Sequence, residues 1–202
     1  MATLRGGELL VATGNAGKMA EFSDLLSPYG VRLRSLKDLG LVEPEETAFS
    51  FAGNASLKAR VAARASGLPT LADDSGLVVA ELGGAPGLYT ADWAETGKGR
   101  DFKVAMAKTW GLLEAVGASG PRSARFCCVL ALVWPDGQEE VFEGRLDGEI
   151  VWPMRGVQGH GYDPIFRPTG HAQSLGEMEA AVKNRISHRA RAVESLVRAC
   201  FT

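Results

Sequence analysis

Glu8-Leu9-Leu10-Val11-Ala12, then Thr13-Gly14-Asn15-Ala16-Gly17-Lys18, then Phe22, Leu25, Leu26 and Tyr29 on one helical face: this opening decides the fold. The apolar run Leu9 to Ala12 after Glu8 reads as a buried strand, and the 3.6-residue spacing that follows reads as a helix. Strand, polar turn and helix then recur. Val31 to Leu36 alternates as a second strand, and an alanine-rich helix is predicted from about Ser50 to Ser66. Pro69 to Ala72 is a short strand closed by Asp73-Asp74-Ser75-Gly76, and a further apolar run covers Leu77 to Leu82. A helix over Asp101 to Val116 precedes two strands, Arg122 to Trp134 and Glu139 to Leu146, joined by the turn signal Pro135-Asp136-Gly137. A glycine-rich loop spans Gly156 to Gly161, and the last helix starts after Ser187, a favoured N-cap. Alternation of this kind specifies an α/β fold.

Composition narrows the function. The 202 residues are 46% hydrophobic and 23% charged, as in ordinary globular domains. They suit one domain or two small lobes. The formal charge of −2 disfavours a nucleic-acid-gripping module, which carries a basic excess. The longest uncharged apolar run, Phe126 to Pro135, is about half the roughly 20 residues that span a bilayer, so no membrane role is expected. No apolar stretch followed by a small-residue cleavage site marks the N-terminus, so no secretory signal is expected either. Cys127, Cys128 and Cys200 show no metal-binding spacing and read as buried free thiols of a cytoplasmic protein.

Three segments could carry chemistry. Thr13 to Lys18 joins a strand to a helix, where backbone N–H groups and the helix dipole attract phosphate. It is not a Walker A loop, since two residues separate Gly14 from Gly17 and Met19 stands where Ser or Thr would. An ordinary connecting turn is the competing reading. Lys18 tips the balance: a cation in a first helical turn opposes the dipole by about 0.3–1 kcal/mol unless it faces an anion. Asp73-Asp74-Ser75-Gly76 follows a strand, at the edge where open α/β sheets bind ligands, and paired carboxylates there suit Mg²⁺. A plain turn would use the same residue types. The acidic residues Glu43, Glu45 and Glu46 read as a solvated loop or as a second metal-facing carboxylate. Lys183, His188 and Arg189, with the loop His160-Gly161-Tyr162-Asp163, form a third, cationic group.

Six pieces in this order resemble the inosine triphosphate pyrophosphatase family: TGNAGK at Thr13, GNASLKA at Gly53, ADDSGL at Ala72, LGGAPGLY at Leu82, GHGYDPIF at Gly159 and ISHR at Ile186. The likeness is strongest to the bacterial members. The resemblance implies a mixed α/β fold with a long central sheet, two lobes around an active-site cleft, and a homodimer. It implies Mg²⁺-dependent cleavage of non-standard purine nucleoside triphosphates (ITP, dITP, XTP) to the monophosphate and pyrophosphate. By position, Thr13, Gly14, Asn15, Ala16, Gly17 and Lys18 would hold the triphosphate with Lys58. Asp74 would be the catalytic carboxylate and a metal ligand, with Glu45, or its neighbour Glu46, as the second. Ser75 would touch substrate, and His160, Gly161, Tyr162, Asp163, Lys183, His188 and Arg189 would form the base pocket. A 6-oxo purine offers an acceptor at O6 and a donor at N1, which an arginine and an aspartate complement; adenine reverses both.

Two departures from the family pattern bear on the base. His160 stands where the family has a stacking phenylalanine, and Thr90-Ala91-Asp92 stands where Ser-Ala-Arg is common. His160 admits an alternative in which the same hydrolysis acts on other modified nucleotides. A non-catalytic nucleotide-binding regulator is the alternative of a different class, and Asp74, Lys18 and the acidic Glu45 region speak against it.

Overall fold

Leu9, Leu10 and Val11 are fully buried in β1 (Glu8–Val11), so both faces of this strand are covered. The computed structural model describes residues 4 and 6–201. From β1 the chain passes through α1 (Ala16–Leu26), β2 (Arg32–Ser35), α2 (Phe51–Ser66), β3 (Thr70–Val79), β4 (Glu95–Thr96) and β5 (Gly99–Arg100). It continues through α3 (Phe102–Ala115), β6 (Ser123–Val133), β7 (Glu139–Ile150), β8 (Phe166–Pro168), α4 (Ala180–Ile186) and α5 (His188–Cys200). Six strands form one sheet in the order β2-β1-β3-β6-β7-β8, and β4 and β5 pair separately. β1 is parallel to β2 and β3, whereas β7 and β8 are antiparallel, so the fold is mixed α/β.

Two differences from the predicted elements matter. α1 stops at Leu26, and Tyr29 lies on a short 3₁₀ turn (Ser27–Tyr29). Pro28 has no N–H to extend the helix, and the Ser27 hydroxyl donates to the Asp24 carbonyl instead. The second difference is larger. Asp73-Asp74-Ser75-Gly76 is no turn but the middle of β3, which runs unbroken from Thr70 to Val79. Both aspartates are buried and partnered from neighbouring helices, so the carboxylates have no need of solvent.

The chain divides into two units. One takes the chain up to Asp74, residues 128–144 and the chain from Arg189 onward. Its strands alternate: Leu9, Val11, Leu71, Cys128 and Leu130 pack with Phe22, Leu26 and the α5 residues Ala192, Val193 and Leu196. Leu10, Ala12, Ala72, Ala131 and Val133 face the other way, onto Ala55, Ala59, Ala62 and Ala63 of α2. The small side chains of that stripe allow α2 to lie close against the strands.

The other unit takes residues 75–127 and 145–188. Leu77, Val79, Met106, Leu113, Phe126, Ile150, Tyr162, Ile165 and Phe166 form its core. Trp110 stacks on Trp152 with ring centroids 5.5 Å apart, and the Arg122 guanidinium covers the Trp110 ring at 3.9 Å.

Candidate active site

The strand period of two sends the neighbouring aspartates of β3 to opposite faces. They therefore do not act as a carboxylate pair. Asp73 has no exposed side-chain surface; its Oδ2 lies 2.9 Å from the Lys18 ammonium and 3.3 Å from Arg189 Nη2. Arg189 reaches from the first turn of α5 and also donates to Glu21, three residues beyond Lys18 on α1. Burial works against the Arg189 charge, and the carboxylates of Asp73 and Glu21 outweigh it, so the group is held above its ordinary pKa. Arg189, which the resemblance assigns to the base, thus pairs with Asp73 and Glu21.

Asp74 faces α2. Its Oδ2 accepts from Asn54 Nδ2 at 2.9 Å, and the Asn54 carbonyl oxygen in turn accepts the Ala48 N–H at 2.9 Å. Burial pushes the Asp74 carboxyl up to about 6; the Asn54 hydrogen bond pulls the other way, and the Glu46 charge adds to the rise. One turn after Asn54 stands Lys58, whose side chain is 1% exposed. Its ammonium pairs with Glu46 and lies 3.8 Å from Glu43 Oε1. Burial disfavours the ammonium, but Asp73, Glu46 and Asp74 more than offset this, and its pKa is raised. Glu45 is exposed; the two acids turned toward Lys58 are Glu43 and Glu46.

The β1–β3 register, with Val11 opposite Leu71, brings the Thr13 turn level with Asp73. Asn15 is the N-cap of α1: its side chain accepts from the Gly17 and Lys18 N–H groups at 2.9 and 3.2 Å. Its own N–H donates to Thr13 Oγ1 at 3.1 Å, and the Gly14 N–H donates to Glu43 Oε2 at 2.8 Å. The polar turn that reads as a phosphate cradle is therefore ordered by its own Thr13 and Asn15 side chains and by Glu43. Ala16 opens the helix.

In the second unit, Asp163 is buried and its Oδ2 accepts both the Lys183 ammonium and the His160 N–H at 2.7 Å. Gly159 has φ +79°, and a Cβ there would lie 2.0 Å from that same oxygen, so the loop closes over the carboxylate only with glycine at this position. The His160 side chain is exposed. Tyr162 is buried, packs edge-on against Phe102 at 5.8 Å and donates its hydroxyl to the Thr90 carbonyl at 3.0 Å. Gly161 would meet the same Phe102 ring at 3.5 Å if it carried a Cβ. Thr90, one of the departures from the family pattern, accepts the Leu77 N–H at 2.9 Å. Asp92 is exposed. His188 is buried and stacks on Phe126 with centroids 5.0 Å apart. Ser75 follows Asp74 on β3 and is half-buried.

Asp73 and Glu43, which the sequence offers only as possible metal-facing carboxylates, are joined by Asn54 and Glu21, which it does not single out as site residues. Only Asn54 left a signal, its spacing of four from Lys58 on α2. The donor set fits Mg²⁺: burial outweighs the Lys58 and Lys18 charges at the Asp74 carboxyl, and the acids available beside it are hard oxygen donors. Among the described residues no three His, Cys, Asp or Glu side chains form a metal cage.

Comparison with known proteins follows the same lines. The dITP/XTP pyrophosphatase of Ruegeria pomeroyi is 55% identical over 196 residues, covering 97% of this chain and 96% of its own. That of Agrobacterium fabrum is 50% identical over 204 residues, covering 96% and 95%. Among solved structures, a HAM1 protein from Coxiella burnetii superposes with a TM-score of 0.87 at 36% identity over 95% of this chain and 97% of its own. A nucleoside-triphosphatase / dITP/XTP pyrophosphatase from Mycobacterium abscessus gives 0.74 at 40% identity, covering 94% and 98%. The sequence profile of the Ham1 family matches residues 9–199, and with relatives of this identity along nearly its whole length the chain belongs to the Ham1 family.

Proposed function

We propose that this chain hydrolyses non-standard purine nucleoside triphosphates, namely dITP, ITP and XTP, to the nucleoside monophosphate and pyrophosphate, with Mg²⁺ and as a homodimer. The observation that carries the reading is the buried Asp74 carboxylate held by Asn54 in the same unit as Lys58 and Lys18. The names of the relatives supply the substrate class.

The chemistry follows from these groups. Lys18 and Lys58 neutralise the phosphate oxygens, and the N-terminal end of α1 adds its partial positive charge. Asp74, fixed by Asn54, orients a water toward the α-phosphorus. The water oxygen forms a new P–O bond, the bond from the α-phosphorus to the bridging oxygen breaks, and that electron pair leaves with pyrophosphate. The proton of the water passes to carboxylate or solvent. Asp74 with Glu45 or Glu46 would hold Mg²⁺, which would supply charge neutralisation for the phosphates. For the base, Asp163 accepts from N1–H and Arg189 donates to O6, with Lys183, His188, Tyr162, Gly161 and His160 completing the contacts and Ser75 touching the phosphate chain.

A panel of ITP, dITP, XTP, GTP and ATP with Mg²⁺, with the products identified, tests the reading. Pyrophosphate and monophosphate should form from the first three, and ATP should react at least ~10³-fold more slowly, since its reversed edge leaves buried polar groups mismatched. Orthophosphate and a nucleoside diphosphate as products would overturn it. Sedimentation of the purified chain tests the dimer. Among the described residues no helix is long and apolar enough to cross a membrane.

A further inference from the structure

Glu43 has no role in the reaction described above, yet its carboxylate lies on the phosphate turn. Oε2 accepts the Gly14 N–H at 2.8 Å, and Oε1 is 3.8 Å from the Lys58 ammonium. Gly14 permits the approach, because a Cβ there would come 2.7 Å from the same oxygen. Three other donors of the turn are engaged from within it: the Asn15 N–H by Thr13, and the Gly17 and Lys18 N–H groups by Asn15. Gly14 alone among these takes its acceptor from elsewhere in the chain, and that acceptor is an anion. A turn amide and a lysine ammonium converging on one anionic group is the contact set that a phosphate would use.

The carboxylate is also free to leave. Its side chain is 36% exposed, and the neighbouring Val42 is 88% exposed. Lys58 keeps its pairing with Glu46 when Glu43 withdraws. We infer that Glu43 is an internal placeholder, its carboxylate standing in the phosphate position between Gly14 and Lys58 and yielding it when a polyphosphate enters. The inference rests on the phosphate-binding reading of the Thr13 turn. Its consequence is a lowered affinity for every polyanion at this turn, the pyrophosphate product included, so the same side chain that substrate displaces helps to expel product. A clamp that merely shaped the turn would act with the opposite sign.

Glu43→Gln deletes the charge and keeps an acceptor for the Gly14 N–H; Glu43→Ala deletes both. Titration calorimetry with inorganic pyrophosphate and tripolyphosphate, in chelator and without metal, reads affinity apart from turnover. The placeholder predicts a Kd about tenfold lower for both variants, the scale set by one hydrogen bond to a charged group. It also predicts a KM for ITP that falls without a rise in kcat. Unchanged or weaker polyphosphate binding in both variants overturns it, while wild-type binding itself would then leave the phosphate turn standing. Absence of polyphosphate binding in all three proteins would instead remove the phosphate-binding reading and the placeholder with it.

Discussion

The Asn54 side-chain amide donates to Asp74 across 2.9 Å, and both side chains are buried. Because the Asn54 carbonyl oxygen is taken by the Ala48 N–H, the amide cannot rotate without losing two bonds, and its NH₂ is fixed toward the carboxylate. Asp74→Asn keeps an acceptor for that NH₂. The fold should persist, with kcat for ITP reduced by about 10²–10⁴ if the carboxylate serves the attacking water. Circular dichroism and pyrophosphate release check the two halves of this expectation, and near-normal turnover would remove Asp74 from catalysis.

Asn54→Ala strips the donor from Asp74 and the acceptor from Ala48 in one step. Loss of partners for buried polar groups should destabilise the protein by about 1–3 kcal/mol, read by urea denaturation. The activity loss should exceed what the remaining folded fraction explains.

Arg189→Met leaves Asp73 and Glu21 without their shared cation in a site where Asp73 has no access to water. Breaking one partner out of a buried ion network should lower stability by about 3–5 kcal/mol. Arg189→Lys keeps the charge but cannot span both carboxylates with one planar group, so it should fall between. A variant as stable as wild type would show that the network contributes nothing to folding.

His160→Phe changes an exposed side chain whose backbone N–H is already anchored on Asp163. Thermal stability should therefore stay within experimental error. A larger aromatic face should lower KM for ITP several-fold if the ring stacks on the base, since stacking on an aromatic side chain is worth about 1–3 kcal/mol per base. An unchanged KM would argue that residue 160 does not touch the base.

Cys200 gives a pH dependence with a definite sign. Burial, with Glu140 beside it, pushes its thiol up to about 12 from an ordinary value of 9.0. The folded state thus keeps a proton that the unfolded chain has released. Stability from this source is complete below about pH 9 and is lost as pH rises toward 12. Cys200→Ala should flatten the alkaline limb of the stability curve, and the native protein should react slowly with a thiol reagent at pH 8 because Cys127, Cys128 and Cys200 are all buried.

How far the sequence reached depends on which physical signal each residue carried. The strand-turn-helix at Glu8 to Leu26 and the hairpin at Pro135-Asp136-Gly137 were legible because hydrophobic period and turn chemistry are local. In the hairpin, Asp136 Oδ1 accepts the Gln138 N–H at 3.0 Å, the bond that such residues offer their own backbone. The Asp73-Asp74-Ser75-Gly76 stretch misled for the same reason. Its residues favour turns locally, and only the cations of α1 and α5 and the amide of α2 make a buried strand affordable there. The short α4 carrying Lys183 went unread, as seven residues give too few periods to register. The partners Asn54 and Glu21 come from segments other than those of Asp74 and Arg189, and of the two only Asn54 carries a local mark, its spacing of four from Lys58.

Residue 159 concentrates much of this in a single carbon atom. With φ +79° and only 2.0 Å between a notional Cβ and the Asp163 oxygen, alanine would evict that carboxylate from beneath the loop. Lys183, twenty residues downstream of Asp163, would lose its anchor without itself being altered. In a genetic screen, one added methyl there would mimic deletion of a distant lysine.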